Sequence, residues 1–156
     1  MIITSCASSK DEKRQCATVL ASAFLDDPAS QYLFPDEESR ERKLEKMYSI
    51  VIDQMIVQGK VEIASDANCR GSVAVWQAPL PPALTYMQAF ATIAKSLVWF
   101  GGACSRMQRL YDATWDAHPS MPHWYLAAIG THFGSQSRGL ARSLMQRRIE
   151  YCDAHK

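Results

Sequence analysis

The sequence predicts an α/β (α+β) fold, in which a small β-sheet is flanked by helices. Amphipathic helical segments open the chain, and two short apolar strands follow as a hairpin. A further apolar strand then runs through a glycine-containing loop into a last helix. With 156 residues, 47% of them hydrophobic and 21% charged, the chain has the size and composition of one soluble globular domain.

Two helices are predicted before the hairpin. The first spans residues 9–25, where Ser9 and Glu12 form the pattern of a capping box. The segment "DDPASQYLFP" is then predicted as a loop, because Pro28 and Pro35 bracket it. The second helix begins near Asp36 and ends at Gly59, and its apolar stripe comprises Leu44, Met47, Tyr48, Val51 and Met55.

The segments "KVEIASD" and "GSVAVWQAP" predict an antiparallel hairpin with a turn at residues 68–71. The alternation of side chains in the second strand puts Val73 and Val75 on one face of the sheet. Ala74 and Trp76 then lie on the other face.

Two more helices are predicted within residues 84–117. The first has an apolar stripe of Tyr86, Phe90, Ile93 and Leu97, and the second has one of Met107, Leu110, Tyr111 and Trp115. The first is apolar enough to raise the question of a membrane span. Its length is short for one and Lys95 interrupts it, so we predict two helices packed on the domain.

The segment "HWYLAAIGTH", residues 123–132, is uncharged and apolar on both faces, which predicts a central strand. The final helix begins at about Arg138. Its predicted buried stripe comprises Ala141, Leu144, Met145, Ile149 and Cys152.

Gly139 stands where the last loop becomes a helix, although glycine lowers helix propensity by about 1 kcal/mol. A helix N-terminus exposes unpaired N–H groups and carries partial positive charge, so a glycine there lets an anion approach the backbone. Arg138 adds a cationic side chain. These features predict a phosphate site. The alternative is that Gly139 only allows close packing of the helix on the strand.

Composition excludes several classes of protein. The net charge of +1 gives no basis for binding nucleic acid or an anionic membrane. The five cysteines are scattered, which indicates reduced thiols and predicts no metal site. The first residues do not form a signal peptide, and we therefore expect a cytoplasmic protein. The phosphate loop is neither a Walker A loop nor a dinucleotide-binding fingerprint.

The segment "HWYLAAIGTHFGSQSRGLARSLM" resembles the core motif of the GNAT superfamily of acyl-CoA-dependent N-acyltransferases. That motif is a strand, then Q/R-x-x-G-x-G/A, then a helix, and its three defining positions are occupied by Gln136, Gly139 and Ala141. The resemblance extends along the whole chain and implies a mixed β-sheet flanked by helices. Residues 84–117 would be a helical insertion before the fourth strand.

The resemblance implies an N-acetyltransferase that uses acetyl-CoA as co-substrate and no metal. An amine of a small molecule or peptide would attack the thioester directly. The pyrophosphate would lie on the backbone N–H groups of Gln136, Ser137, Arg138, Gly139, Leu140 and Ala141. The pantetheine arm would pair with Ile129, Gly130 and Thr131. It implies neither a nucleic-acid nor a membrane partner.

The chain departs from the family pattern near the reaction centre. Thr131 and Phe133 stand where the family often has an apolar β-branched residue and a proline, and the strand carries no carboxylate. Four residues are alternatives for the general base, and each also has an ordinary structural explanation: His123, Asp26, Asp27 and His118. Trp76 and Trp99 are either core or acceptor-pocket residues. We expect His132 to be solvated, and we name no catalytic residue.

The family fold continues beyond its equivalent of the last helix with another strand and a tyrosine acid. The resemblance therefore implies that residues 1–156 are the N-terminal two-thirds of a GNAT-like domain with a truncated C-terminal half. We expect low turnover and self-association through the open sheet edge. The alternative is a non-catalytic protein of the same half-fold that binds CoA or a protein partner.

Overall fold

The computed structural model describes residues 3–65, 71–115 and 119–155. Their elements, in chain order, are β1 Ile3–Cys6, α1 Lys10–Ala23, α2 Pro28–Leu33, α3 Glu37–Gln58, β2 Gly59–Ser65, β3 Ser72–Gln77, α4 Tyr86–Phe100, α5 Ala103–Trp115, β4 Tyr125–Thr131 and α6 Leu140–Ala154. A single 3₁₀ turn, Phe133–Ser135, stands between β4 and α6.

The four described strands form one sheet in the order β1-β2-β3-β4. All three pairings are antiparallel, so in this part of the chain the expected mixed sheet is an antiparallel one. The expectation that β4 is central is wrong for the described sheet, where β4 is an edge strand. Apolar residues on both faces of β4 indicate that other elements pack on both faces of this strand, and an edge strand can be covered in this way too. The position of a strand within a sheet is determined instead by its hydrogen-bonding partners.

The predicted hairpin is confirmed, with Val61 opposite Val75 and Glu62 opposite Ala74. Of the predicted turn at residues 68–71, residues 68–70 lie outside the described residues. Val73 and Val75 belong to the main apolar core, which α1 and α3 cover. Ala74 and Trp76 belong to a second core on the opposite face, together with Leu140 and Leu144 of α6. The sheet therefore has helices on both faces, as the alternation predicted.

The two N-terminal helices are confirmed, and Ser9 with Glu12 forms the predicted capping box of α1. The predicted loop between these helices is wrong, because Pro28–Leu33 is the short helix α2. Asp27 caps α2 by accepting from the N–H groups of Ala29 and Ser30, and Pro28 is its first residue. Proline is favourable there, since the first N–H of a helix has no intrahelical partner.

Strand β1 was not predicted. It is only four residues long and pairs with β2 in the register that sets Cys6 opposite Glu62. A segment this short has too few residues to show an alternating pattern. It is a strand because it pairs with β2, and this pairing cannot be read from its own sequence.

The predicted insertion contains two helices, but its predicted packing is partly wrong. Ile93 and Leu97 are more than half exposed, and Phe100 is the described α4 side chain that is buried in the core. The side chains of Tyr86, Phe90 and Trp115 lie outside the described residues. Helix α5 is held to α2 because the guanidinium of Arg106 donates twice to the carbonyl oxygen of Leu33, at 3.0 and 2.8 Å.

The buried stripe of α6 differs from the predicted one by a rotation about the helix axis. Leu140, Leu144 and Arg148 are buried, whereas Ile149 is half exposed. The spacing of four residues is the one expected on a helix face. The sequence did not reveal this face because the stripe includes an arginine. Over the described residues, no helix is both long and apolar enough to cross a membrane.

Candidate functional site

An open cavity of about 420 Å³ lies where β4, the 3₁₀ turn, the start of α6 and the end of α1 meet. Every residue that the sequence predicted to bind the cofactor lines it: Ile129, Gly130, Thr131, Gln136, Ser137, Arg138, Gly139, Leu140 and Ala141. Four further residues complete the lining, namely Ala23, Phe24, Ser135 and Arg142. The contribution of Ala23 and Phe24 was not visible in the sequence, because the end of α1 reaches the cavity only through the tertiary fold. Ser135 and Arg142 flank the predicted loop along the chain.

The N-terminus of α6 is built to present its backbone to the cavity. Gly139 is the N-cap residue, with φ +76°, and no side chain caps this end of the helix. The first turn carries no acidic residue. The first N–H groups of a helix have no intrahelical acceptor and bear partial positive charge. The cavity wall is therefore suited to an anion.

Gly139 is not explained by helix–strand packing. A Cβ placed on it would have no atom within 4 Å, so that alternative is wrong. Its left-handed backbone conformation explains why a glycine stands at this position. The open space above it leaves the backbone accessible.

Ser137, two residues earlier, also has a left-handed backbone, with φ +62°. Among the described residues it is the only one other than glycine with a positive φ. Backbone strain of this kind persists where the surrounding structure imposes it, and it concentrates at binding sites. Successive residues in such conformations turn their N–H groups toward a common concavity, which is a recurring anion-binding arrangement.

Two arginines adjoin this wall. Arg138 and Arg142 line the cavity and are exposed, one before and one after Gly139. Among the residues that the structure describes, no carboxylate lines the cavity. The charge at this surface is therefore positive, and a guanidinium can form paired hydrogen bonds with phosphate oxygens.

The strand side of the cavity is held by close packing and by a chain of hydroxyl groups. Gly130 is buried beneath α1, where a Cβ would come within 2.8 Å of Ala23 Cβ and 3.1 Å of Leu20 Cδ2. Thr131 Oγ1 donates to Ser72 Oγ at 3.0 Å, and Ser72 Oγ donates to the carbonyl oxygen of Gly130 at 3.0 Å. These contacts fix the end of β4, and the register of β4 against β3 shifts between Val75 and Trp76.

His132 connects β4 to the loop, and the expectation that it is solvated is wrong. Its side chain is buried, and its Nδ1 accepts the N–H of Gly134 at 3.2 Å. The reason is that the chain turns back over the imidazole ring immediately after β4.

Of the candidate bases that the structure describes, namely His123, Asp26 and Asp27, none lines the cavity. Asp27 caps α2, which is the structural explanation considered for it, and Asp26 is exposed. The ring nitrogen Nδ1 of His123 lies 2.8 Å from the carbonyl oxygen of Met121. His118 lies outside the described residues. Burial, with Asp27 nearby, raises the pKa of Tyr48 above its ordinary value, which opposes formation of a phenolate there.

The two tryptophans considered for an acceptor pocket have different surroundings. Trp76 is 4% exposed and belongs to the second core, so the core explanation holds for it. Trp99 is partly exposed on α4, with Lys46 Nζ 4.8 Å from its ring centroid. Among the residues described by the structure, no group of three His, Cys, Asp or Glu side chains is placed to hold a metal ion.

Comparison with known proteins shows a likeness in fold to a solved structure. No protein-family model matches the sequence. A solved structure from Corynebacterium glutamicum, described as histone acetyltransferase HPA2 and related acetyltransferase, is similar with a TM-score of 0.70. The two chains are 23% identical, and the match covers 96% of this chain and 71% of the other. At this identity the likeness shows the fold alone: the chain has the same α/β fold as that structure.

Proposed function

We propose that this chain is an N-acetyltransferase that uses acetyl-CoA as co-substrate and acts on an amine. One observation carries the proposal: a loop, a strand end and an uncapped helix N-terminus surround one open cavity with backbone N–H groups and arginines. A carrier with a pyrophosphate group and an extended arm suits both parts of this cavity.

The pyrophosphate is assigned to the loop. Two negatively charged phosphates would accept from N–H groups of residues 136–141, and Arg138 and Arg142 would add charge-assisted contacts. The described residues that line the cavity include no acidic one, which supports this assignment, because a carboxylate there would repel the phosphates.

The pantetheine arm is assigned to β4. In the described sheet, β4 pairs with β3 on one side, and alternate residues of the segment 129–131 present their backbone groups to its other edge. An extended arm with amide groups would pair with such an edge as an added strand does. A strand N–H would then polarise the thioester carbonyl.

The proposed reaction is direct transfer. The amine nitrogen attacks the thioester carbonyl carbon, and a tetrahedral oxyanion forms. When the intermediate collapses, the C–S bond breaks, the amide forms, and CoA leaves as a thiolate that takes up a proton. The amine loses one proton, so the step is balanced. The rate enhancement would come mainly from positioning and oxyanion stabilisation, and no base is assigned.

The acceptor is an amine of a small molecule or a peptide. The Corynebacterium protein is described as a histone acetyltransferase and related acetyltransferase, which supports keeping peptides among the acceptors. We assign the acceptor side to the end of α1, where Phe24 lines the cavity and its ring packs 5.7 Å from that of Tyr48.

The test of cofactor binding is a charge substitution at Gly139. Gly139→Glu places a negative charge at the assigned phosphate position, and Gly139→Gln has nearly the same size and the same backbone strain without the charge. We expect CoA affinity, measured by calorimetry, to fall at least tenfold for Gly139→Glu, or about 1.4 kcal/mol. The fall for Gly139→Gln should be clearly smaller. Equal affinity of the folded Gly139→Glu variant and the parent would refute the assignment.

A second candidate is a non-catalytic CoA-binding protein. It is favoured by the cavity lining, whose described residues include no Asp, Glu, His, Cys or Tyr and so offer no titratable base or acid of these types. General acid–base catalysis typically contributes about 10²- to 10⁴-fold. A thiol-release assay with acetyl-CoA and a panel of amines separates the two. Tight CoA binding without thiol release above the uncatalysed rate would favour the second candidate.

A further inference from the structure

The turn between β4 and the anion loop is tied together by one histidine. His132 is 8% exposed, and its Nδ1 accepts the N–H of Gly134 at 3.2 Å. Its own carbonyl oxygen accepts the N–H of Ser135 at 2.7 Å, and its N–H donates to the carbonyl oxygen of Gly71 at 3.2 Å. The side chain thus acts as the N-cap of the 3₁₀ turn, while the backbone of the same residue remains joined to the loop before β3.

This contact specifies the chemical form of the imidazole. A backbone N–H can only donate, so Nδ1 must carry a lone pair, and the neutral ring must carry its proton on Nε2. An imidazolium donates from both nitrogens and would lose the contact. The ring of Phe133 lies 4.4 Å from the imidazole centroid and covers it.

The turn determines where the loop begins. Ser135, its last residue, is 1% exposed and lines the cavity, and the strained residue Ser137 follows two positions later. With so few residues between the histidine and the assigned phosphate position, a change in the turn shifts the N–H groups of the loop.

We propose that His132, as its Nε2–H tautomer, is a positioning residue for the anion loop, which it holds in the conformation that binds the CoA pyrophosphate. The proposal rests on the proposed function for its ligand. The histidine does not touch the ligand and acts through the N–H of Gly134.

The first test needs no ligand. Nitrogen-15 NMR of the free protein at neutral pH should show His132 with an unprotonated Nδ1 and a protonated Nε2. Hydrogen exchange of the Gly134 amide should be slowed in the parent and faster in His132→Leu. A proton on Nδ1 would overturn the proposal, even if the leucine variant failed to fold.

The second test compares substitutions. His132→Asn can accept the N–H two residues ahead through its side-chain oxygen, as in an Asx turn, whereas His132→Leu cannot. We expect CoA affinity by calorimetry to fall about tenfold in His132→Leu and to stay within about threefold of the parent in His132→Asn. His155→Leu, an exposed histidine at the end of α6, is the matched control and should bind CoA as the parent does.

The outcomes separate the two proposals. If the parent binds CoA and His132→Leu binds it equally well, or His132→Asn loses as much affinity as His132→Leu, the positioning role is overturned. If the parent does not bind CoA, the proposed function is overturned. Whether His132 stabilises the turn is then decided by its tautomer and by the hydrogen exchange of the Gly134 amide.

Discussion

Arg148 of α6 and Glu62 of β2 form an ion pair inside the protein, with Nη2 of the arginine 2.9 Å from Oε1 of the glutamate. Each side chain is 4% exposed. The guanidinium carbon also lies 4.2 Å from the ring centroid of Trp124 and 5.4 Å from that of Trp76. The pair therefore joins the helix that begins at the candidate site to the middle of the sheet.

Removal of one member of this pair should strongly destabilise the protein. Glu62→Leu leaves a buried guanidinium, and Arg148→Met leaves a buried carboxylate, so we expect each to cost about 3–5 kcal/mol in the free energy of unfolding. Urea denaturation measures this.

The double variant is the informative control for the pair. Because Glu62 Oε2 and Arg148 Nε are buried and have no hydrogen-bond partner among the described residues, the pair is only partly satisfied. Glu62→Leu with Arg148→Met should recover most of the lost stability. Arg147→Ala, whose Nε lies 4.0 Å from the same carboxylate at an exposed position, should cost no more than about 1 kcal/mol. Additive losses in the double variant would contradict the assignment.

Gly130→Ala should destabilise the protein by overpacking. Its Cβ would collide with Ala23 and Leu20 of α1, and the strand cannot move freely because Ser72 and Thr131 hold its end. We expect a cost of about 1–3 kcal/mol, measured by thermal or urea denaturation. Adding Ala23→Gly to the Gly130→Ala variant should restore part of the lost stability. Gly102→Ala, with open space around its Cβ, should leave stability unchanged, and an equal loss there would count against the packing argument.

The capping box of α1 should give the protein an acid-sensitive contribution to stability. Hydrogen bonds from the backbone of Ser9, then of Ser8, lower the pKa of Glu12 from 4.5 to about 2. A depressed carboxyl pKa stabilises the folded state above the unfolded value, and the contribution is lost as the pH falls from 4.5 toward 2. As the pH is lowered through this range, the melting temperature of Glu12→Gln should therefore fall less steeply than that of the parent. The glutamine side chain can still accept the hydrogen bonds. The same dependence of melting temperature on pH below 4.5 in the parent and in Glu12→Gln would refute this contribution of Glu12.

Cys16 should resist thiol reagents in the folded protein. Burial, with a smaller effect of Glu12, raises the pKa of its thiol to about 12, so almost no thiolate is present at pH 8. We expect the same number of rapidly reacting thiols in the parent and in Cys16→Ala at pH 8. After unfolding, the parent should show one more. A difference between the two chains in the folded state would show that Cys16 is accessible.

The outer edge of β4 should promote self-association. Within the described sheet this edge has no strand partner, and such edges recruit other chains. We expect light scattering to show a mass that rises with concentration, and Ala127→Lys, at an exposed position of β4, to suppress the rise. Val98→Lys is the matched control, because Val98 is 82% exposed on α4. Suppression by Val98→Lys alone would assign the association to α4 instead.

Features that depend on residues close together in the chain could be predicted from the sequence. The capping box of Ser9 and Glu12, the alternation around Val73 and Val75, and the passage from β4 into the loop at Gly139 follow from backbone geometry over a few residues. The resemblance of the loop to a known motif then named nine of the thirteen residues that line the cavity. Helix α2 was also encoded locally by Asp27 and Pro28, and it was missed because it is too short to show a periodicity.

Which surfaces are covered depends on contacts between segments that are far apart in the chain. The tertiary fold makes β4 an edge strand, leaves Ile93 exposed on α4 and buries His132. It also turns Arg148 inward to Glu62, which lies about 86 positions away in the chain. A pattern of apolar residues cannot reveal these facts, because burial and ion pairing depend on segments that are distant in sequence. An arginine in particular is counted as a surface residue until a carboxylate and aromatic rings from other elements replace the water around it.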